Sequence, residues 1–172
     1  MKDFIEPILI ENKCEPMAIA SGYKDLLDIM EDIKADDVIE IGTYNGLSTA
    51  VLAKFCKRVF TFDLVSRNGE YLWNLLGVRK NIFPFVGNQE MIEWEIDYVP
   101  KEWKLRDTEL NINLAFLDGG HHYNEVKHDF EMVKFCGRVL IHDYKKVADI
   151  HRFCDEIGAR ELKGNFALWE AE

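Results

Sequence analysis

Positive charge is in short supply in this chain. Only 21 Lys and Arg stand against 31 Asp and Glu, a formal net charge of −10 over 172 residues. A sequence-independent grip on nucleic-acid phosphates needs the opposite excess, so a nucleic-acid partner is not expected and small-molecule or protein partners fit better. Cysteine is also scarce. Cys14, Cys56, Cys136 and Cys154 form no Cys-x-x-Cys pair, and they read as reduced thiols in a reducing compartment. Long apolar runs are missing: no stretch is long enough to span a membrane. Met1 to Pro16, interrupted by Asp3, Glu6, Pro7 and Glu11, has no clean apolar region of the signal-peptide kind. The expectation is a cytoplasmic protein without membrane attachment. Internal repeats and low-complexity segments are absent as well.

What is present is an ordinary globular composition, 48% hydrophobic and 12% aromatic, in a chain long enough for one domain with a real core. Residues 1–17 read as an N-terminal arm, packed over the ligand site or against a second subunit, so a homo-oligomer stays open. Residues 21–34 follow as an amphipathic helix, with Leu26, Ile29, Met30 and Ile33 on one face. Asp37 to Ile41 is a short buried-strand run. It breaks at Gly42-Thr43-Tyr44-Asn45-Gly46 and resumes with helical spacing at Leu47, Ala50, Val51 and Phe55. A strand, a glycine turn and a helix N-terminus make a ligand site, because the first-turn N–H groups are free and glycine lets the backbone turn sharply and lie close to a ligand.

The same grammar repeats. Arg58 to Asp63 is a second strand, and Asp63 falls 21 positions after Gly42. In a strand–helix–strand unit that offset brings a carboxylate to the ribose of a nucleotide-like ligand; capping the next helix is the plainer alternative. A short helix over 69–77 and a strand at Ile82 to Val86, followed by Asn88, come next. Residues 88–111 are irregular, readable as a lid or as a helix packing its tryptophans. Ile112 to Leu117 is a fourth strand, ending in Asp118-Gly119-Gly120-His121-His122-Tyr123. A helix with Asn124 as its expected N-cap and Gly137 as its stop follows. Arg138 to Ile141 is a fifth strand, ending in His142-Asp143, where Asp143 could also cap a last helix over 146–157. Two strand-like pieces, Arg160 to Lys163 and Phe166 to Trp169, flank a Gly164-Asn165 turn. The alternation predicts an α/β fold: a doubly wound, mostly parallel sheet with helices on both faces. The informative polar residues all fall at strand carboxyl ends, where such sheets bind ligands.

Those motifs together resemble the class I S-adenosylmethionine-dependent methyltransferases, in the small-molecule O-methyltransferase-like branch with an Asp-Gly-x-His-x-Tyr signature after the fourth strand. The likeness runs over roughly residues 36–170. It implies a Rossmann-like core of seven strands whose last strand is antiparallel, within a single domain spanning 1–172. It implies S-adenosyl-L-methionine as cofactor. Glu40, Gly42, Thr43, Tyr44, Asn45, Gly46 and Ser48 would serve its methionine half, Asp63 the ribose, Asn88 the adenine edge, and Asp118 the sulfonium end. Tyr44 stands where the three-glycine form has its middle glycine.

Methyl transfer to a hydroxyl, the expected acceptor on a small-molecule substrate, needs alignment and a route for the proton, by a base or a bound cation. Asp118, His121, His142 and Asp143 are the candidate catalytic groups. Asp118, His142 and Asp143 are also candidate ligands for a divalent metal: oxygen ligands suit Mg²⁺, and an added imidazole favours Mn²⁺. Two rivals remain: a cofactor-binding module of the same fold without transfer, acting as a sensor or subunit, and a metal-dependent hydroxylase-like relative.

Overall fold

In the computed structural model, residues 22–65, 69–87, 104–105 and 108–172 are described. The expectations for the arm 1–17, for Asn88 and for most of 88–111 lie outside the described residues. The elements run α1 (Tyr23–Asp32), β1 (Asp37–Ile41), α2 (Leu47–Phe55), β2 (Arg58–Asp63), α3 (Gly69–Leu75), β3 (Ile82–Val86), β4 (Ile112–Leu117), α4 (Tyr123–Val133), β5 (Arg138–Ile141), α5 (Ala148–Glu156), β6 (Arg160–Glu161) and β7 (Ala167–Glu170). A small antiparallel pair, Lys104–Leu105 with Thr108–Glu109, precedes β4.

The sheet has seven strands in the order β3-β2-β1-β4-β5-β7-β6. The first five are parallel to their neighbours, and β7 lies antiparallel between β5 and β6. This is the class I methyltransferase arrangement. Strand order turns back at β1, which pairs with β2 on one side and β4 on the other. A crevice forms at such a point because the crossovers leave in opposite directions.

Period-2 alternation divides the core into two layers. Val38, Val59, Leu114, Phe116 and Leu140 face α1, α2 and α3. Ile39, Ile41, Phe60, Phe62, Ala115, Leu117, Val139 and Ile141 face α4 and α5. Being covered on both faces, the central strands read as nearly continuous apolar runs. Register also explains the aromatic pairs of β2 and β3. Phe60 sits opposite Phe83 and Phe62 opposite Phe85, and their rings stack at 5.2 and 4.8 Å, contacts worth about 0.5–1 kcal/mol each beyond burial.

Two helix caps differ from the sequence reading. Helix α4 begins two residues earlier than expected. His122, not Asn124, is the N-cap, because Glu125 at the third helical position reaches back to the His122 backbone and closes a capping box. The last helix starts at Ala148 with Val147 at its cap, so Asp143 does not cap it. The Asp143 carbonyl instead accepts from Lys146 N and Val147 N, a tight turn ahead of the helix. His151 is exposed and His128 is half-buried. The described cysteines, Cys56, Cys136 and Cys154, are free and buried, and burial pushes each thiol up to about 12.

Candidate active site

The glycine turn is built by close approach. Gly42 leaves β1 at φ +97°, and a Cβ there would lie 2.3 Å from the Asp118 carbonyl oxygen, so β1 and β4 can meet only through glycine. Gly46 opens α2 at φ +78°, where a side chain would strike the Trp73 ring; the Trp73 indole N–H donates to the Gly46 carbonyl at 2.9 Å. Between them Tyr44 takes a left-handed φ of +45°. Its backbone N–H donates to Asp63 Oδ2 at 2.7 Å, and Val65 N–H donates to Oδ1 at 3.2 Å. Asp63 therefore joins the end of β2 to the glycine turn and does not cap α3.

Glu40 is turned inward. On β1 it lies directly opposite Thr61 of β2, on the face covered by α2. It is fully buried, and its Oε2 accepts from Thr49 Oγ1 at 2.5 Å and Thr61 Oγ1 at 2.6 Å. Because Thr61 donates to Glu40, the 2.5 Å contact between Thr43 and Thr61 makes Thr43 the donor there. Oε1 has no hydrogen-bond partner among the described residues. Burial drives the carboxyl up to about 7 against the opposing hydroxyls of Thr49, Thr61 and Ser48.

The ends of β4 and β5 carry the chemistry. Asp118 Oδ1 lies 2.7 Å from His142 Nδ1, and His121 Nε2 lies 3.0 Å from Asp143 Oδ2. His142 is only 7% exposed, and its Nε2 is without a partner among the described residues. Burial presses its ring toward the neutral form. The hydrogen bond and charge of Asp118, joined by the charge of Asp143 and opposed by Lys146, outweigh that, and the imidazole is raised above its ordinary value. The turn bearing His121 is held from α4: Glu125 accepts from His121 N and His122 N, and Asp129 accepts from Gly120 N.

A cavity of about 110 Å³ opens beside this pair. Its walls come from Tyr23 and Leu26 of α1, from Tyr44, Asn45, Leu47 and Ser48 of the glycine turn and α2, and from Phe116, Asp118, His142 and Phe166. Gly22 stands over it: a Cβ there would lie 3.8 Å from His142 Nε2.

The structure thus brings Asp118, His121, His142 and Asp143 into one cluster, and sets Tyr44, Asn45 and Ser48 on the cavity wall with Gly42 and Gly46 shaping the turn. Glu40 and Thr43 lie beneath that turn, off the cavity wall, and Asp63 lies at the adjoining strand end. The sequence reading missed the α1 residues, Phe166 and Asn165. The last two lay in a segment read only as a hairpin, and nothing local marks a hairpin residue as the partner of another strand's end.

Asp118, His142 and Asp143 can each offer one ligand atom within 4.8 Å of the others. Two carboxylates and an imidazole suit Mn²⁺ better than Mg²⁺. Their donor atoms already pair within the protein, however, Asp118 with His142 and Asp143 with His121.

The methyltransferase-domain family matches residues 39–144, more than half of the chain and all four strand-end motifs, and the chain belongs to that family. Among the curated proteins, none matches this sequence. Solved structures share the fold at low identity. An O-methyltransferase, TomG from Streptomyces achromogenes, involved in tomaymycin synthesis and bound to SAM, is 17% identical with a TM-score of 0.68, covering 95% of this chain and 86% of its own. An O-methyltransferase from Bacillus cereus in complex with SAH is 15% identical, with a TM-score of 0.67 and coverage of 96% and 87%. An rRNA methylase from Streptococcus thermophilus is 18% identical, with a TM-score of 0.58 and coverage of 85% and 94%. No helix among the described residues is long and apolar enough to cross a membrane.

Proposed function

We propose that the whole chain is one methyltransferase domain that uses S-adenosylmethionine to methylate a hydroxyl of a small molecule, with His142 taking the hydroxyl proton. One observation carries this reading. The Asp118–His142 pair fixes Nδ1 as the donating nitrogen and leaves Nε2 buried and without a partner among the described residues, on a side chain that lines the cavity beside the glycine turn. A carboxylate-oriented imidazole of raised proton affinity is the right group to accept a proton near neutral pH.

The residues fit the cofactor. Gly42 and Gly46 allow backbone approach, Ser48 of α2 lines the cavity, and Asp63, at the neighbouring strand end, would take the ribose. Bound there, S-adenosylmethionine supplies an electrophilic methyl carbon. The cavity walls would align the acceptor oxygen with that carbon, and His142 Nε2 would take the hydroxyl proton. Asp118 steadies the imidazolium that results, and α1 with Phe166 limits water at the reacting oxygen. The net charge of −10 supports a small acceptor over RNA, and the composition supports a cytoplasmic enzyme.

The trio of Asp118, His142 and Asp143 supports a second reading, in which a divalent cation held there lowers the proton affinity of the acceptor hydroxyl. The test is methyl transfer from methyl-labelled S-adenosylmethionine to a panel of hydroxyl-bearing small molecules. The expected result is labelled ether product from the wild type, reduced about 10²–10⁴-fold in His142→Gln. Activity abolished by a chelator and restored by Mn²⁺ favours the second reading. Cofactor binding with no transfer to any acceptor would leave the binding-module rival standing.

A further inference from the structure

The geometry points to Asn165, in the hairpin between β6 and β7, as the positioning residue that sets the Asp143 carboxylate for work. The inference rests on the reading above for its functional meaning. Asn165 is 8% exposed and makes three hydrogen bonds to one short turn. Its carbonyl accepts from Tyr144 N at 3.2 Å, its Oδ1 accepts from Lys145 N at 2.7 Å, and its Nδ2 donates to Asp143 Oδ1 at 2.6 Å. The orientation of the amide is not arbitrary. A backbone N–H can only donate, so the oxygen must face Lys145 and the NH₂ must face Asp143.

This matters because Asp143 sits at φ +60°, a left-handed conformation that a non-glycine residue keeps only when its surroundings demand it. Asn165 supplies that demand from a hairpin 22 positions further along the chain. With Oδ1 engaged by Asn165, the carboxylate turns Oδ2 toward His121 at 3.0 Å, and Oδ1 stays 3.7 Å from His142 Nδ1. Lys146 lies 4.0 Å from Oδ1, and the Asp118 carboxylate is within 4.8 Å. One amide thus orders the second histidine–carboxylate pair.

The hairpin is itself anchored to the cavity's roof. Lys163 pairs with Asp28 and Asp25 of α1, and Gly164 packs against Asp25 so closely that a Cβ would fall 2.3 Å from its carboxylate. The next residue, Phe166, lies 4.8 Å from the His142 ring and forms the cavity wall. Four consecutive residues therefore tie α1, the cavity and Asp143 together, and only Asn165 touches the carboxylate.

The test compares Asn165→Ala, Asn165→Asp and Lys163→Ala with the wild type. Asn165→Asp keeps an acceptor for Lys145 N and removes the donor to Asp143. Lys163→Ala loosens the same hairpin without touching the site. Long-range ¹H–¹⁵N spectra of the imidazoles at one pH, without metal, give the readout. The expected result is that the His121 ring signals shift in both Asn165 variants and stay in place in Lys163→Ala. S-adenosylhomocysteine affinity, measured alongside, stays within about twofold because Asn165 itself does not line the cavity. Should Asn165→Ala fail to fold, Asn165→Asp decides. Unmoved His121 signals in a folded Asn165 variant, or equal shifts in Lys163→Ala, overturn the assignment. A wild type that binds no S-adenosylhomocysteine would instead sink the methyltransferase reading while leaving the His121 readout intact.

Discussion

Replacing Glu40 by Gln should change how stability depends on pH. Glu40 is wholly buried; two hydroxyls bond its Oε2, and none among the described residues bonds its Oε1. Burial raises its proton affinity in the fold from an ordinary 4.5 to about 7. A folded-state value above the unfolded one means that the group's stabilising contribution is complete below about 4.5 and is lost as pH rises to about 7, with no further change above. At about 1.4 kcal/mol per pH unit, that interval amounts to something on the order of 3 kcal/mol. Gln has nearly the same shape, offers an oxygen to Thr49 and Thr61, and does not ionise. Urea unfolding of both proteins at pH 4.5, 6 and 7.5 isolates the effect, because every other titrating group is common to the pair. The expected outcome is that Glu40→Gln gains on the wild type by roughly 3 kcal/mol between the lowest and highest pH. A difference that does not vary with pH would refute the reasoning, and would mean that the carboxylate is ionised and compensated in place.

Gly42→Ala adds a Cβ 2.3 Å from the Asp118 carbonyl at φ +97°; left-handed strain of about 1–2 kcal/mol and overpacking of about 1–3 kcal/mol should lower the melting temperature by roughly 2–4 °C per kcal/mol. Gly77→Ala, at φ +69° with nothing near its Cβ, should show only the strain, and equal losses in the two would contradict the steric account. Asp63→Ala should weaken S-adenosylhomocysteine binding by about 1.5–3 kcal/mol through lost charged hydrogen bonds, and unchanged affinity would remove Asp63 from the ribose. Asp143→Asn should reduce any Mn²⁺ affinity about tenfold or more, read from the free-ion electron paramagnetic resonance signal; a wild type that takes up no Mn²⁺ would retire the cation reading.

The five parallel strands were legible because each is a short, mostly apolar run, and their limits agree with the structure at Asp37–Ile41, Arg58–Asp63, Ile82–Val86, Ile112–Leu117 and Arg138–Ile141. Their carboxyl-terminal residues were legible as a site for the same reason: a parallel sheet collects strand ends on one edge. What the sequence hid is contact between distant segments. Glu40 read as a ligand of the cofactor, but its direct neighbours are Thr61 across the sheet and Thr49 from α2, a pairing set by register. His122 took the cap expected of Asn124 because Glu125 reaches back to it. Asn165 read as a turn residue, and its bonds to Asp143 and Lys145 span 22 and 20 positions.

On the proposed reading, the turn from Gly42 to Gly46, with Asp63 and Asp118, holds S-adenosylmethionine. Calorimetric titration of the wild-type protein with S-adenosylmethionine and with S-adenosylhomocysteine tests it most directly. Saturable binding of either in the micromolar range, weakened in Asp63→Ala, is the predicted result. No binding of either ligand to protein that melts cooperatively would contradict the claim and reduce the glycine turn to an architectural feature.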